Sequence, residues 1–240
     1  LDLAIRCPGI GHRDDSDAWS LDETVLRNLH GLERLKSRLG ADTTVEQLCA
    51  LFGDLNTTTR FTEPHEKRAE GLYQGLFLNR RLIKPLDPAF EVASISGSTT
   101  QRISQHQPPI LAALGISETD LDTLVGLTRP LDGPGHGAAY IDGALSLANL
   151  SFLWRHAWLA KRLKFEAGEW ALVLKLLQQD IAVPLGSEDW APRFADPDTA
   201  LDFVERVDHL SNTGFTADEL NWLLAADRSA KAAVKEPGAG

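Results

Sequence analysis

The stretch from residue 145 to residue 177 reads LSLANLSFLWRHAWLAKRLKFEAGEWALVLKLL. Its first half, residues 145–163, has no polar face on a helical wheel, because the polar residues are scattered around the axis: Ser146, Asn149, Ser151, Arg155, His156 and Lys161. A soluble helix that is apolar on nearly every side is packed among other helices. The charged residues leave no run of the roughly 20 apolar residues that a membrane span needs. We therefore predict a central core helix.

Composition excludes several classes of partner. The formal net charge is -10 and no cluster of lysine and arginine is present. Proteins that bind nucleic acid or anionic membranes need a basic patch, so we expect neither partner. Cys7 and Cys49 give neither a disulfide framework nor a metal-ligand spacing, which leaves the redox compartment open. The chain begins at Leu1, has no methionine and shows no targeting signal, so we interpret it as a piece of a longer protein.

The domain organisation follows from shifts in composition along the chain. Residues 1–18 are rich in glycine and charge and are expected to form a linker or loop. Residues 19–226 are expected to form a helical domain, with sub-lobes at 19–132 and 140–226. Residues 227–240 should fray as a tail.

Helical periodicity dominates the predicted domain. A capping box of Ser20 and Glu23 is expected to start a helix that ends at Gly40. Further helices are predicted at 45–55, 66–82, 110–114, 117–127, 166–179, 197–211 and 217–226. The polar residues between 94 and 109 should form a long loop, with a short strand near 90–95. The predicted fold is all-α: an irregular stack of helical hairpins around a central apolar helix, with little or no sheet.

A recurring joint supports this stack. A glycine ends one helix, an apolar residue covers the joint, and a Ser/Thr-x-x-acid or amide capping box opens the next helix. The complete copies are Gly40 with Thr44 and Gln47, Gly115 with Ser117 and Asp120, and Gly214 with Thr216 and Glu219. Lys164 stands at the glycine position in a degenerate copy followed by Glu166, which caps poorly. The uneven spacing indicates a quasi-repeat rather than a regular solenoid.

Several ordered blocks resemble a known family. They are LYQGLFLNR with PLDPAF, ILAALGISETDLDTLV, LSLANLSFLWRHAWLAKRLKF and FADPDTALDFVERVDHLSNTGFTADELNWLL, which lie between residues 72 and 224, and the resemblance as a whole covers roughly residues 21–224. This pattern resembles the A component of bacterial insecticidal toxin complexes and the related plasmid virulence A proteins. The resemblance implies a non-enzymatic segment of the helical shell around the channel of a large, secreted or surface-located, pore-forming subunit.

The same resemblance implies a set of partners. Family members assemble as pentamers, insert their channel into a target membrane on a pH change, and pass a toxic enzyme delivered by B and C components. This segment would contact other domains of its parent subunit and would not itself insert into the membrane. The resemblance leaves open whether this segment also contacts a host-cell surface receptor.

No residue is assigned to catalysis, a cofactor or a metal. The acidic run at 12–17 lacks the glycine turn and the bidentate glutamate of a calcium-binding EF-hand loop, so a solvated linker is the better interpretation. His136 in GPGHG fits an exposed turn. Ser96 and Ser98 lack the strand-turn-helix context of a nucleophile elbow.

Two residues carry functional hypotheses. His156 on the central helix is expected to be buried and hydrogen-bonded, and a histidine there could contribute to a pH-triggered rearrangement. Trp190 in the polar sequence GSEDWAPR is the candidate for surface recognition. The alternative to the shell segment is a stand-alone helical binding or adaptor module, and an enzyme ranks third.

Overall fold

The computed structural model describes residues 2–14, 16–58, 60–62, 67–81, 83–96, 100–128, 139–180 and 193–225. Within these residues the chain is mostly helical, which confirms the predicted all-α class. A single two-stranded antiparallel ribbon, β1 (Arg60–Thr62) and β2 (Lys67–Ala69), accompanies the helices. The helices are α1 (Asp2–Ile5), α2 (Glu23–Leu39), α3 (Val45–Cys49), α4 (Leu72–Phe77), α5 (Val92–Ile95), α6 (Gln107–Leu114), α7 (Glu118–Val125), α8 (Leu147–Leu163), α9 (Ala167–Asp180), α10 (Pro197–Ser211) and α11 (Ala217–Ala225).

Helix α8 lies at the centre of the molecule. Residues 149–156 are all buried, and eight consecutive residues cover more than two turns, so neighbours surround the helix on every side. Helices α6, α7 and α9 pack directly against it. No helix among the described residues is both long and apolar enough to cross a membrane.

Two helices from opposite parts of the sequence, α2 and α10, lie side by side. Val25, Leu32, Leu35 and Leu39 form the buried side of α2, which packs against α10. A side chain at Gly31 would lie 2.8 Å from the Cβ atom of Pro197, so glycine permits this close approach. One buried cluster runs from Ala4 to Ala217 and therefore includes residues from both expected sub-lobes.

The first residues differ from the linker that their composition predicts. Ala4, Cys7 and Ile10 are each at most 4% exposed, and α1 packs against α2 and α3. The Asn28 side-chain amide donates to the carbonyls of Gly9 and Ile10, at 3.2 and 2.9 Å. These three small or apolar residues recur every third position, and the charged residues that follow hide that spacing in the composition.

The helix joints follow the predicted pattern in their capping boxes, whereas Gly40, with φ of 118° and ψ of 139°, lies outside the left-handed helical conformation expected of the joint glycine. The capping boxes that start at Thr44, Ser117 and Thr216 all form. In each, the hydroxyl accepts a hydrogen bond from the amide three residues later, and the side chain of that later residue accepts one from the amide of the capping residue. Gly115 adopts the left-handed conformation with φ of 64°. Lys164 adopts the same left-handed conformation with φ of 65°, so helix α8 ends in the same way although no glycine is present.

Several predicted boundaries are wrong. Helix α2 is capped by Asp22, which accepts from the Val25 amide, and not by Ser20. The helix predicted at 66–82 is shortened to α4 because β2 occupies its start. The strand predicted near 90–95 is replaced by a 3-10 turn (Pro88–Phe90) and α5, since Asp87 caps that turn through the Ala89 amide.

Candidate functional site

Three polar side chains lie buried in the middle of α8. Ser151 is 0% exposed, and Arg155 and His156 are each 2% exposed. Residues four apart share one side of a helix, so Ser151 and Arg155 face the same neighbours while His156 faces the adjacent side. We call these three residues the buried polar centre. Buried polar groups need hydrogen-bond partners, and the partners define what this centre does.

His156 joins α8 to α9. The indole N–H of Trp170 donates to His156 Nδ1 over 3.1 Å, and Trp170 is fully buried. An indole nitrogen only donates, so His156 Nδ1 carries no proton and the imidazole is in its neutral form. The ring of Phe152 lies 4.5 Å from that of His156 and packs against it. The histidine is therefore buried and hydrogen-bonded, as expected from its position in the sequence.

The joint at Lys164 sets this contact. The Lys164 and Phe165 amides donate back to the carbonyl of Ala160, which ends α8 and reverses the chain. The Glu166 amide then donates to the Glu169 carboxylate over 3.3 Å, one half of the expected capping box. This reversal returns Trp170 to the level of His156, fourteen residues earlier in the chain.

Arg155 joins α8 to the segment after α3. Its Nε donates to the carbonyl of Ala50 over 3.0 Å, and its Nη2 donates to the carbonyl of Gly53 over 2.8 Å. Burial lowers the pKa of Arg155 to about 10, while the nearby Asp54 carboxylate opposes that shift. The guanidinium therefore remains charged at neutral pH and satisfies carbonyls that have no helical partner.

Ser151 completes this attachment. The amide of Leu55 donates to Ser151 Oγ over 2.9 Å, and Ser151 Oγ donates to the carbonyl of Leu147 over 2.6 Å. The Phe194 amide donates to the carbonyl of Leu51 over 3.0 Å, so the chain before α10 joins the same segment. The buried polar centre thus holds residues 50–55, α8 and α9 in one arrangement.

The buried polar centre fastens α8 to its neighbours. Each of its side chains is engaged by protein groups, and Ser151 and Arg155 bond to main-chain amides and carbonyls. An imidazolium at position 156 would carry a proton on Nδ1, which could then not accept the hydrogen bond from the Trp170 indole.

A second histidine lies nearer the surface. His106 Nδ1 contacts Asp87 Oδ2 at 2.5 Å, and His106 Nε2 contacts Gln101 Oε1 at 2.9 Å. Although partial burial raises the pKa of Asp87, hydrogen bonds from the Ala89 amide and His106 outweigh it and hold that pKa below its ordinary value. Both ring nitrogens of His106 are engaged, so this pair links the 3-10 turn at 88–90 to α6 rather than presenting a free base.

A surface cavity of about 360 Å³ lies beside the loop after α4. It is lined by Arg80, Ile83, Lys84, Pro85 and Leu86. Two cations at an apolar wall could attract an anion, and the described lining contains no carboxylate, histidine or cysteine beside them.

The acidic run near the start of the chain is organised by its own main chain. Asp14 Oδ1 accepts from the amides of Ser16 and Ala18, and Arg13 pairs with Asp17 at 2.6 Å. The Ser16 hydroxyl also donates to Asp14 Oδ1, and this bond, together with those from the Ala18 and Ser16 amides, lowers the pKa of Asp14. Across the described part of the chain no group of three or more His, Cys, Asp or Glu side chains could hold a metal ion.

Trp190 and His136 lie outside the described residues, so both remain predictions from sequence alone. Sequence reasoning placed His156 correctly but missed the roles of Arg155 and Ser151. A signal for them was present, because two polar residues four positions apart on an otherwise apolar helix share one side.

No family model, curated protein or solved structure matches this chain.

Proposed function

We propose that this chain is a helical shell segment of a toxin-complex A subunit, a secreted or surface-located pentamer that delivers a toxic enzyme into target cells. The proposal rests on the ordered blocks that resemble this family. The role is structural, with no catalytic residue, and the channel itself belongs to another part of the parent subunit.

The observation that carries the proposal is the agreement between these blocks and the helices. The blocks contain the whole of α4, α8 and α10, together with residues of the loops and joints on either side of them. Blocks that hold complete helices are compatible with a resemblance in architecture. A closed stack of hairpins also suits a shell that packs against other domains of its parent.

The pH response of this family gives His156 a role within the proposal. The neutral imidazole accepts from Trp170, and protonation removes that hydrogen bond. Arg155, the next residue, is a buried cation and further disfavours a second positive charge. Acidification would therefore loosen α9 from α8 in the shell before or during channel insertion.

The partners in the proposal are other domains of the parent subunit, the B and C components, and a host-cell surface receptor. Trp190 is the residue proposed to contact such a receptor. Replacement of Trp190 by alanine in the parent protein should reduce binding to target cells without changing assembly. Unchanged cell binding would remove Trp190 from the proposal.

The native mass of the full product tests the assignment. The gene product that contains this chain should be purified and its mass measured by light scattering. A ring in the megadalton range is expected for a pentameric A subunit. A small monomer would instead favour the adaptor module.

A further inference from the structure

The two cysteines of the chain lie against each other. Cys7 and Cys49 are 42 residues apart, yet the Cys7 thiol lies 3.5 Å from the carbonyl oxygen of Cys49. The same thiol lies 3.3 Å from the carbonyl oxygen of Pro8, so the main chain on both sides surrounds it. Cys7 is 3% exposed, whereas Cys49 is half-buried. The chain has no third cysteine.

The surrounding structure holds this pair in place. Helix α1 packs against α3, so the chain just after α1 lies beside the end of α3. Asn28 fixes the carbonyls of Gly9 and Ile10, and Pro8 packs against Gly53, where an added Cβ would lie 3.1 Å from the proline ring. The thiols therefore meet through packed elements rather than through a chance contact of loops.

We propose that Cys7 and Cys49 form a reversible disulfide when the protein meets a small-molecule disulfide such as oxidised glutathione. Cys49 attacks first, as its thiolate. Its sulfur bonds to one glutathione sulfur, the S–S bond of glutathione breaks, and one glutathione leaves as a thiolate that takes up a proton. Cys7 then loses its proton, attacks the Cys49 sulfur and expels the second glutathione. Two protein thiols are oxidised and one glutathione disulfide is reduced to two thiols.

The order of attack follows from exposure and charge. The hydrogen bond with Cys49, burial and the proximity of the Cys49 charge together raise the pKa of Cys7. Cys7 therefore stays protonated while Cys49 is a free thiol, and a thiol is a poor nucleophile. Once Cys49 is in the mixed disulfide it can no longer carry charge, so one cause that keeps Cys7 protonated is removed. The mixed disulfide on Cys49 thus prepares Cys7 for the second step.

The bond would fasten the first segment to α3. Residues 1–10 contribute Ala4, Cys7 and Ile10 to the core without a long helix of their own. A cross-link that closes the loop between positions 7 and 49 restricts the unfolded chain and stabilises the folded one. This redox response is independent of the proposed shell role.

Mass spectrometry of the folded 240-residue chain after treatment with oxidised glutathione tests the proposal. The expected product is a monomer lighter by two hydrogens, with Cys7 and Cys49 in one cross-linked peptide and a Tm higher by roughly 5–15 °C. Cys7→Ser should stop at a stable glutathione adduct on Cys49. Cys49→Ala should remain unmodified. A wild-type protein that keeps glutathione on Cys49, or that dimerises through Cys49, would overturn the proposal.

A redox titration tests the proposal with the wild-type protein alone. The ratio of squared reduced glutathione to oxidised glutathione at which half of the protein is oxidised should be at least about tenfold higher for the native protein than for the protein in urea, because the fold holds the thiols together. An equal ratio in both conditions, or a higher ratio in urea, would show that the fold does not promote the bond.

Discussion

At the scale of single residues, Arg155 supports the fold more than its place on an apolar helix suggests. Its guanidinium satisfies the carbonyls of Ala50 and Gly53, and both bonds are shielded from water. Removal of the side chain leaves these carbonyls without that donor and empties the volume it fills. Buried acceptors without partners are costly, so loss of this side chain should destabilise the fold.

Arg155→Met is expected to lower the free energy of unfolding by roughly 2–4 kcal/mol, measured by urea denaturation at neutral pH. Arg27→Met is the matched control, because Arg27 pairs with Glu23 on the exposed side of α2. That change should cost less than about 0.5 kcal/mol, as for other exposed ion pairs. Equal effects at the two positions would contradict the role assigned to Arg155.

His156 should make stability depend on pH. The unfolded chain takes up a proton at an exposed histidine as the pH falls through about 6.5, whereas the folded chain holds His156 neutral against Trp170. The unfolded state then binds more protons, so stability is present above this pH and declines below it, by at most about 1.4 kcal/mol per pH unit.

The variant His156→Asn keeps an acceptor near the position of Nδ1 but cannot take up a proton. Its urea unfolding between pH 7 and pH 5 should depend less on pH than that of the wild type. The control His30→Asn changes an exposed histidine of α2 and should leave the wild-type dependence unchanged. A wild-type slope retained by His156→Asn would remove His156 as a sensor in this chain.

The residues of the buried polar centre show what sequence can and cannot predict at this scale. The apolar surroundings predicted that His156 would be buried and bonded. The partners of Arg155 lie more than 100 residues earlier in the chain, and only the folded arrangement brings Ala50 and Gly53 to it. Local spacing carries no information about such distant partners.

At the scale of elements, the helix joints were the most predictable feature. Their chemistry is local, since a glycine and a capping box lie within a few residues of each other. The first segment was missed because its structure depends on contact with α2 and α3. The position of the ribbon also depends on pairing between strands, which the helical period at 66–82 does not reveal.

Two opposite substitutions at equivalent joints test the backbone argument. Lys164 and Gly115 have almost the same positive φ, and nothing lies within 4 Å of a Cβ added at Gly115. Lys164→Gly should raise the free energy of unfolding by about 0.5–1 kcal/mol, and Gly115→Ala should lower it by about 1 kcal/mol. Thermal or urea unfolding measures both. Changes of the same sign would contradict the assigned conformations.

At the scale of the whole molecule, helices distant in sequence share one core. Helix α2 packs against α10, and Ser151 and Arg155 attach residues 50–55 to α8. The all-α class could be predicted from the helical periods. The contacts between distant helices could not, because the sequence pattern suggested two sub-lobes without showing how they meet. A helical stack closed in this way can pack as one unit, as the proposed shell role requires.

The most direct test is a cryo-electron microscopy map of the complete protein that contains this chain. We expect a pentameric particle in which five copies of this helical stack fit the outer shell and none lines the channel. A particle that places the stack inside the channel, or a protein that remains a monomer, would contradict the proposed shell role.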